Sequence, residues 1–196
     1  MSIVNLVSGG LDSTLIGVMA REEGIAIHPL FIDYGQRAAQ REWEICQFVH
    51  QQSGLSFPRR MDLSGFGKVI QSGLTSADKD IKDDAFTPGR NLLFLLMGSA
   101  YAFQVGAQAV AIGLLSEQFS LFPDQCANFV EKAEWAIRAA LGQAVRIVTP
   151  LFEFSKADVI KLAQEKGIHG TYSCHAGTDL PCGRCISCLE ILGAAI

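Results

Sequence analysis

Charge is scarce in this chain: 18% of its 196 residues are Asp, Glu, Lys or Arg, while 49% are apolar. That balance excludes a disordered chain, which is highly charged and poor in apolar residues, and it provides for one well-cored domain. Basic excess is also missing, the net charge being −4. A surface wholly dedicated to nucleic acid is thereby excluded, whereas a local basic cleft is not. The amino terminus has neither the basic region nor the long apolar run of a secretion signal, so the expected compartment is the cytoplasm. Internal repeats and low-complexity tracts are absent. Residues 92–115 carry no charge and match the length of a bilayer span, about 20 residues. Gln104, Gly106 and Gln108 interrupt them, and their texture changes from LLFLLMGSAYAF to AVAIGLL. A buried helix followed by a buried strand is predicted there, with no membrane span.

Hydrophobic periodicity gives strands over residues 3–7, 25–32, 56–63, 109–114 and 145–148. Helices are predicted over 12–23, 39–52, 91–103 and 126–141, with a further one capped by Ser155 and ended by Gly167. Such alternation predicts an α/β fold, a Rossmann-like parallel sheet with helices on both faces. Residues 1–167 are expected to form this domain, and residues 168–196 a cysteine-bearing tail packed on it. Two weakly patterned stretches, 72–87 and 115–123, are either binding loops or plain surface excursions.

The first strand runs into NLVSGGLDSTL, residues 5–15. A helix starting at the carboxyl end of a parallel strand points its unpaired N–H groups and positive dipole end into the ligand crevice. Gly9 and Gly10 allow close approach of an anion, and Ser8, Ser13 and Thr14 add hydroxyls. The alternative is a tight turn capped by Asp12. The lysine of GxxxxGK[ST] is missing, so this is not a loop of that kind.

Four of the six cysteines fall in SCHAGTDLPCGRCISCLE: Cys174, Cys182, Cys185 and Cys188. Thiolates at this spacing suit a closed tetrahedral zinc site, structural because it has no open position for water. An iron–sulfur cluster is the other metal open to it. His175 is expected as a solvated loop residue. Cys46 and Cys126 lie outside the cluster.

SGGLDST resembles the SGGxDS loop of the ATP pyrophosphatase superfamily. With FIDYGQR, TPGRN, FPDQC, TPLFEFSKAD and the cysteine tail in this order, nearly the whole chain resembles the 7-cyano-7-deazaguanine synthase family. The resemblance implies a fold of the adenine nucleotide alpha-hydrolase type and an ATP-dependent carbon–nitrogen ligase. Its substrate is 7-carboxy-7-deazaguanine, adenylated, captured by ammonia as an amide and dehydrated by a second activation to the nitrile preQ0, a precursor of queuosine. ATP, Mg²⁺ and structural Zn²⁺ are the implied cofactors. Val7, Ser8, Gly9, Gly10, Leu11, Asp12, Ser13 and Thr14 are implied to bind ATP, with Asp33 and Tyr34 near the adenosine and Asn91 capping its helix. Asp12, Arg90 and Lys156 are the implied catalytic residues, although Arg90 and Lys156 as plain surface charges stay open. Phe119, Phe122 and Asp124 are implied to meet the heterocycle; a core role for the two rings stands equally open.

Three places depart from the family's pattern: Ala38 stands for a histidine, Leu114 and Leu115 for a stretch with an asparagine, and residues 189–192 for a stretch with an arginine. An acceptor other than ammonia, including an amine on a protein, therefore stays open, as does a noncatalytic nucleotide sensor. A homodimer is left open, and net acidity argues against nucleic acid as a partner.

Overall fold

The computed structural model describes residues 1–194. Five parallel strands form one sheet in the order β3-β2-β1-β4-β5, namely β1 (Ser2–Val7), β2 (Ala26–Asp33), β3 (Arg59–Asp62), β4 (Ala109–Ala111) and β5 (Arg146–Val148). The helices are α1 (Leu11–Glu22), α2 (Ala39–Gln52), α3 (Gly65–Val69), α4 (Arg90–Val105), α5 (Ala127–Leu141), α6 (Lys156–Glu165) and α7 (Ile186–Ala194). The central strands β1 and β4 are buried on both faces, so they are runs of apolar residues and do not alternate with polar ones.

The period of two still decides which helix covers which face. Val4, Leu6, Leu30, Ile32 and Val110 point toward α4 and α5, where Leu95 and Ile137 complete a core. Ile3, Ala109 and Ala111 point the other way, against Leu15 and Ile16 of α1 and Val159 of α6. Val7 and Phe31 meet Cys46 of α2. Helices thus cover both faces. The uncharged segment resolves into α4, a left-handed turn at Gly106 and β4, and no helix among the described residues is long and apolar enough to cross a membrane.

β4 ends three residues short of its predicted end. After Ala111 the chain bends, and Gly113 comes so near α1 that a Cβ there would lie 3.2 Å from Asp12 Cβ. α3 and α7 carry too few periodic residues to be visible as helices in the sequence. The stretch 72–87 is a buttress: Ser72 Oγ and Thr87 Oγ1 lie 2.6 Å apart, and Ile81 is buried among the tail cysteines. Ala38 is buried in that same cluster, 1% exposed. Its small side chain serves packing against the tail, where Gly177 lies on it, so it does not face an acceptor.

Candidate active site

At the carboxyl ends of β1, β2 and β4 opens a crevice with two lobes. One, about 300 Å³, is lined by Ser8, Gly10, Leu11, Asp12 and Ser13 of the glycine turn and by Tyr34, Gln36, Glu42, Arg90, Asn91 and His175. The other, about 470 Å³, is lined by Leu114, Leu115, Phe119, Ser120 and Ala157. Asp12, Lys156 and Glu190 belong to both walls. The chain therefore presents a lobe built on the glycine turn beside a more apolar chamber, joined at one ion pair.

That pair is Lys156 Nζ to Asp12 Oδ1 at 2.7 Å and to Oδ2 at 2.9 Å. Ser155 places the lysine: its hydroxyl accepts from the Asp158 N–H, and the Asp158 carboxylate accepts from the Ser155 N–H, starting α6 with Lys156 at its first position. Arg90, first residue of α4, lies over the rings of Tyr34 and Phe94 at 6.0 and 5.9 Å. Both cations line the crevice.

Within the glycine turn the residues divide. Gly10 is the N-cap of α1, and the amides that follow it are free of intrahelical partners. Val7 and Leu11 line the wall. Ser8 is exposed, and its Oγ accepts from the Gly10 N–H. Gly9 has φ +77° and serves packing: a Cβ there would lie 2.7 Å from Cys46 N and 2.9 Å from Glu42 O. α2 can stack on the loop only because Gly9 has no side chain. Thr14 differs from expectation, being buried with its hydroxyl donated to the Gly10 carbonyl at 2.8 Å. In this first turn of α1 its one hydroxyl proton is thereby engaged, as is that of Ser13, which donates to the same carbonyl at 3.3 Å.

Other expected contacts also differ. Asp33 is neutralised by Arg60 at 2.6 Å and accepts from the Gly35 N–H, outside the crevice lining. Asn91 is buried within the first turn of α4, whose N-cap is Gly89. Its Nδ2 donates to the Asp124 carbonyl at 2.9 Å. Asp124 thus contributes backbone to this tether, while its carboxylate is absent from both walls. Phe119 lines the larger lobe and Phe122 the smaller, the latter packed on Phe86 with ring centroids 5.2 Å apart.

The tail forms the facing wall. The Tyr172 N–H donates to the Gly9 carbonyl, and Ser173, His175, Ser187 and Glu190 line the crevice. His175 is not solvated. Its Nδ1 is buried without a protein partner, and burial, then the charges of Arg90 and Lys156, lower its pKa to about 4. Glu190 is shifted upward by burial, against the attraction of Lys156.

Behind that wall the ligand atoms of Cys174, Cys182, Cys185 and Cys188 lie within 4.8 Å of one another. Four thiolates around one zinc at about 2.3 Å stand roughly 3.8 Å apart, so the donor set fits the ion. Burial raises the Cys174 thiol, but the amides of Cys182 and Ala176 outweigh this and bring it to about 6. Cys46 is pushed up to about 12 by burial, consistent with an inert core thiol.

Two crevice residues give little signal in sequence. Gln36 Oε1 accepts from the Tyr34 N–H at 2.9 Å, and its Nε2 donates to Glu42 Oε2 at 2.8 Å. Burial raises Glu42 to about 7. Nothing in the sequence distinguishes Glu42 from Glu44, two residues on and exposed to solvent.

Residues 2–194 match the family described as queuosine biosynthesis protein QueC. The chain belongs to the QueC family. Among curated relatives of this family member is the 7-cyano-7-deazaguanine synthase of Acetivibrio thermocellus, 36% identical across 95% of this chain and 89% of the relative. That of Campylobacter hominis is 32% identical across 96% and 91%. A 7-cyano-7-deazaguanine synthase 2 of Desulfitobacterium hafniense is 36% identical across 98% and 88%. Among solved structures, a 4-thiouridine synthetase in complex with RNA and ATP superposes with a TM-score of 0.57 at 20% identity, over 99% of this chain and 49% of that one. A predicted subunit of tRNA methyltransferase from Methanocaldococcus jannaschii gives 0.55 at 17% identity, over 84% and 75%. These two likenesses speak for the fold alone.

Proposed function

We propose that the protein is an ATP-dependent synthase of 7-cyano-7-deazaguanine. The observation that carries this is the Asp12–Lys156 pair set at the junction of a phosphate-sized lobe and an apolar chamber, in a chain whose full length matches the family. A carboxylate is inert to amines because its leaving group would be oxide. Attack of its oxygen on the α-phosphorus of ATP expels pyrophosphate and turns that oxygen into part of a phosphate leaving group.

The protein's part in this step is positioning and charge neutralisation. The free amides after Gly10 and the hydroxyl of Ser8 meet the polyphosphate; Lys156 and Arg90 offset its charge. Asp12 is the carboxylate available to Mg²⁺ when the nucleotide takes over Lys156. The deazapurine lies in the larger lobe against Phe119, with ammonia as the amine. Zinc, held by Cys174, Cys182, Cys185 and Cys188, fixes the tail that walls the crevice and takes no part in the chemistry.

The test is release of AMP and pyrophosphate that depends on 7-carboxy-7-deazaguanine, with the nitrile identified by mass. ADP with phosphate, or no turnover with this carboxylate, overturns the reading.

A further inference from the structure

We propose that Glu42 is the base that strips protons from the nitrogen as it is captured and carried to the nitrile. This rests on the function proposed above. Ammonia bonding to the acyl adenylate breaks the carbon–oxygen bond to AMP and leaves an amide once the nitrogen has given up one proton. In the second round the amide oxygen bonds to the α-phosphorus as pyrophosphate departs. The nitrogen then loses its two remaining protons, the carbon–oxygen bond breaks, AMP leaves and the triple bond closes. Every stage past adenylation sheds protons from one atom, and ammonium must lose another before it can attack at all. A carboxylate within the crevice that is not neutralised by a cation meets this need.

Glu42 is in that position. It lies in the first turn of α2, the turn that stacks on Gly9 of the phosphate loop. Asp12 is engaged by Lys156, Asp33 by Arg60, and Glu190, on α7, faces the Lys156 charge. Glu42 is held only by a neutral amide, and the orientation of that amide is fixed. Because Gln36 Oε1 takes the Tyr34 N–H, its NH₂ group must face Glu42 Oε2, and Glu42 itself lines the crevice. Glu42 lines the smaller lobe together with Asp12 and Lys156, the pair at which that lobe meets the chamber bearing Phe119.

The groups around it set its proton affinity. Burial acts first and raises it to about 7, against the Gln36 hydrogen bond and Arg90 of α4, with Asp33 at the end of β2 adding to the rise. Tyr34 of the β2 turn, Tyr172 of the tail and Cys46 of α2 also face it, and all three hold their protons more tightly for its presence.

Glu42→Gln, compared on ammonia and on hydroxylamine, tests this. Hydroxylamine is largely uncharged near neutrality, and once bonded its nitrogen loses a proton readily to water. Expected is a fall of about 10²- to 10⁴-fold on ammonia, with hydroxamate formation and the first-turnover release of pyrophosphate near the parent rates. At constant free ammonia the parent rate rises with pH through an apparent pKa of about 7, and the variant lacks this limb. Gln36→Met, which removes the donor to Glu42, moves the limb to higher pH. Equal losses on both amines, or an unmoved limb in Gln36→Met, would falsify the assignment. Absence of carboxylate-dependent pyrophosphate release from the parent protein would instead sink the functional reading, and the two failures are thereby distinct.

Discussion

Asp12 and Lys156 are 144 residues apart in sequence and meet at 2.7 Å, which makes the pair the narrowest point of the proposed chemistry. Each side chain satisfies the other before nucleotide arrives, so neither is a free charge. Two groups that act as a unit give non-additive losses. Lys156→Met and Asp12→Asn are each expected to lower pyrophosphate release by about 10²- to 10³-fold, and the double variant no further than the worse single. Multiplying losses in the double variant would show that the two act apart. Glu42 gives a second expectation, on stability. Its pKa is raised from 4.5 to about 7 by burial, so the folded state binds the proton more tightly than the unfolded chain. The resulting stability is full below the unfolded value and is lost as pH rises through about 7. Glu42→Gln should therefore melt higher than the parent at pH 8 and no higher at pH 5, by calorimetry. A uniform fall at both pH values would mark Glu42 as a plain structural residue.

Among elements, the tail is the one gathered by ligand atoms that fit a metal ion. α7 is short, and the cysteines, not apolar periodicity, gather the segment; Ala38 and Ile81 complete its small core. Cys185→Ser should lose stoichiometric zinc by elemental analysis and open the chain to trypsin after Arg184, while β1 and α1, whose packing lies on the other side of the loop, stay protected. Iron instead of zinc in the parent protein would overturn the metal assignment. Elements with strong local signals were legible in the sequence: the β1–loop–α1 unit, the capped α6 and the cysteine knuckle. Less legible was what each loop residue does, because that is decided by partners distant in sequence. Gly9 belongs to the contact with Cys46, Asp33 to Arg60, and Thr14 to its own helix turn. A sequence pattern marks where an anion can sit; it does not tell which hydroxyl is already committed. His175 escaped for the same reason, since only the packed tail shows that a residue beside a cysteine ligand turns into the crevice.

At the scale of the molecule, the crevice is assembled from three bodies: the carboxyl edge of the sheet, the start of α4 and the tail gathered by its four cysteines. A ligand that bridges them reports whether they are assembled. At 100-fold excess over its Kd a nucleotide stabilises the folded state by about 2.7 kcal/mol. For a chain of this length that amounts to roughly 5–10 °C in Tm. A nonhydrolysable ATP analogue should give a rise of this order in the zinc-loaded protein. After Cys185→Ser the rise at the same concentration should shrink, because the Gly9 carbonyl loses its bond from Tyr172 and the wall bearing Ser173 and His175 comes away. The comparison separates two accounts of the metal. If zinc served only to keep the tail folded as an independent appendage, the shift would be the same in both proteins. If the tail is part of the nucleotide site, as its hydrogen bond to the loop implies, binding and metal content are linked, and nucleotide in turn should slow zinc loss to a chelator by the same coupling.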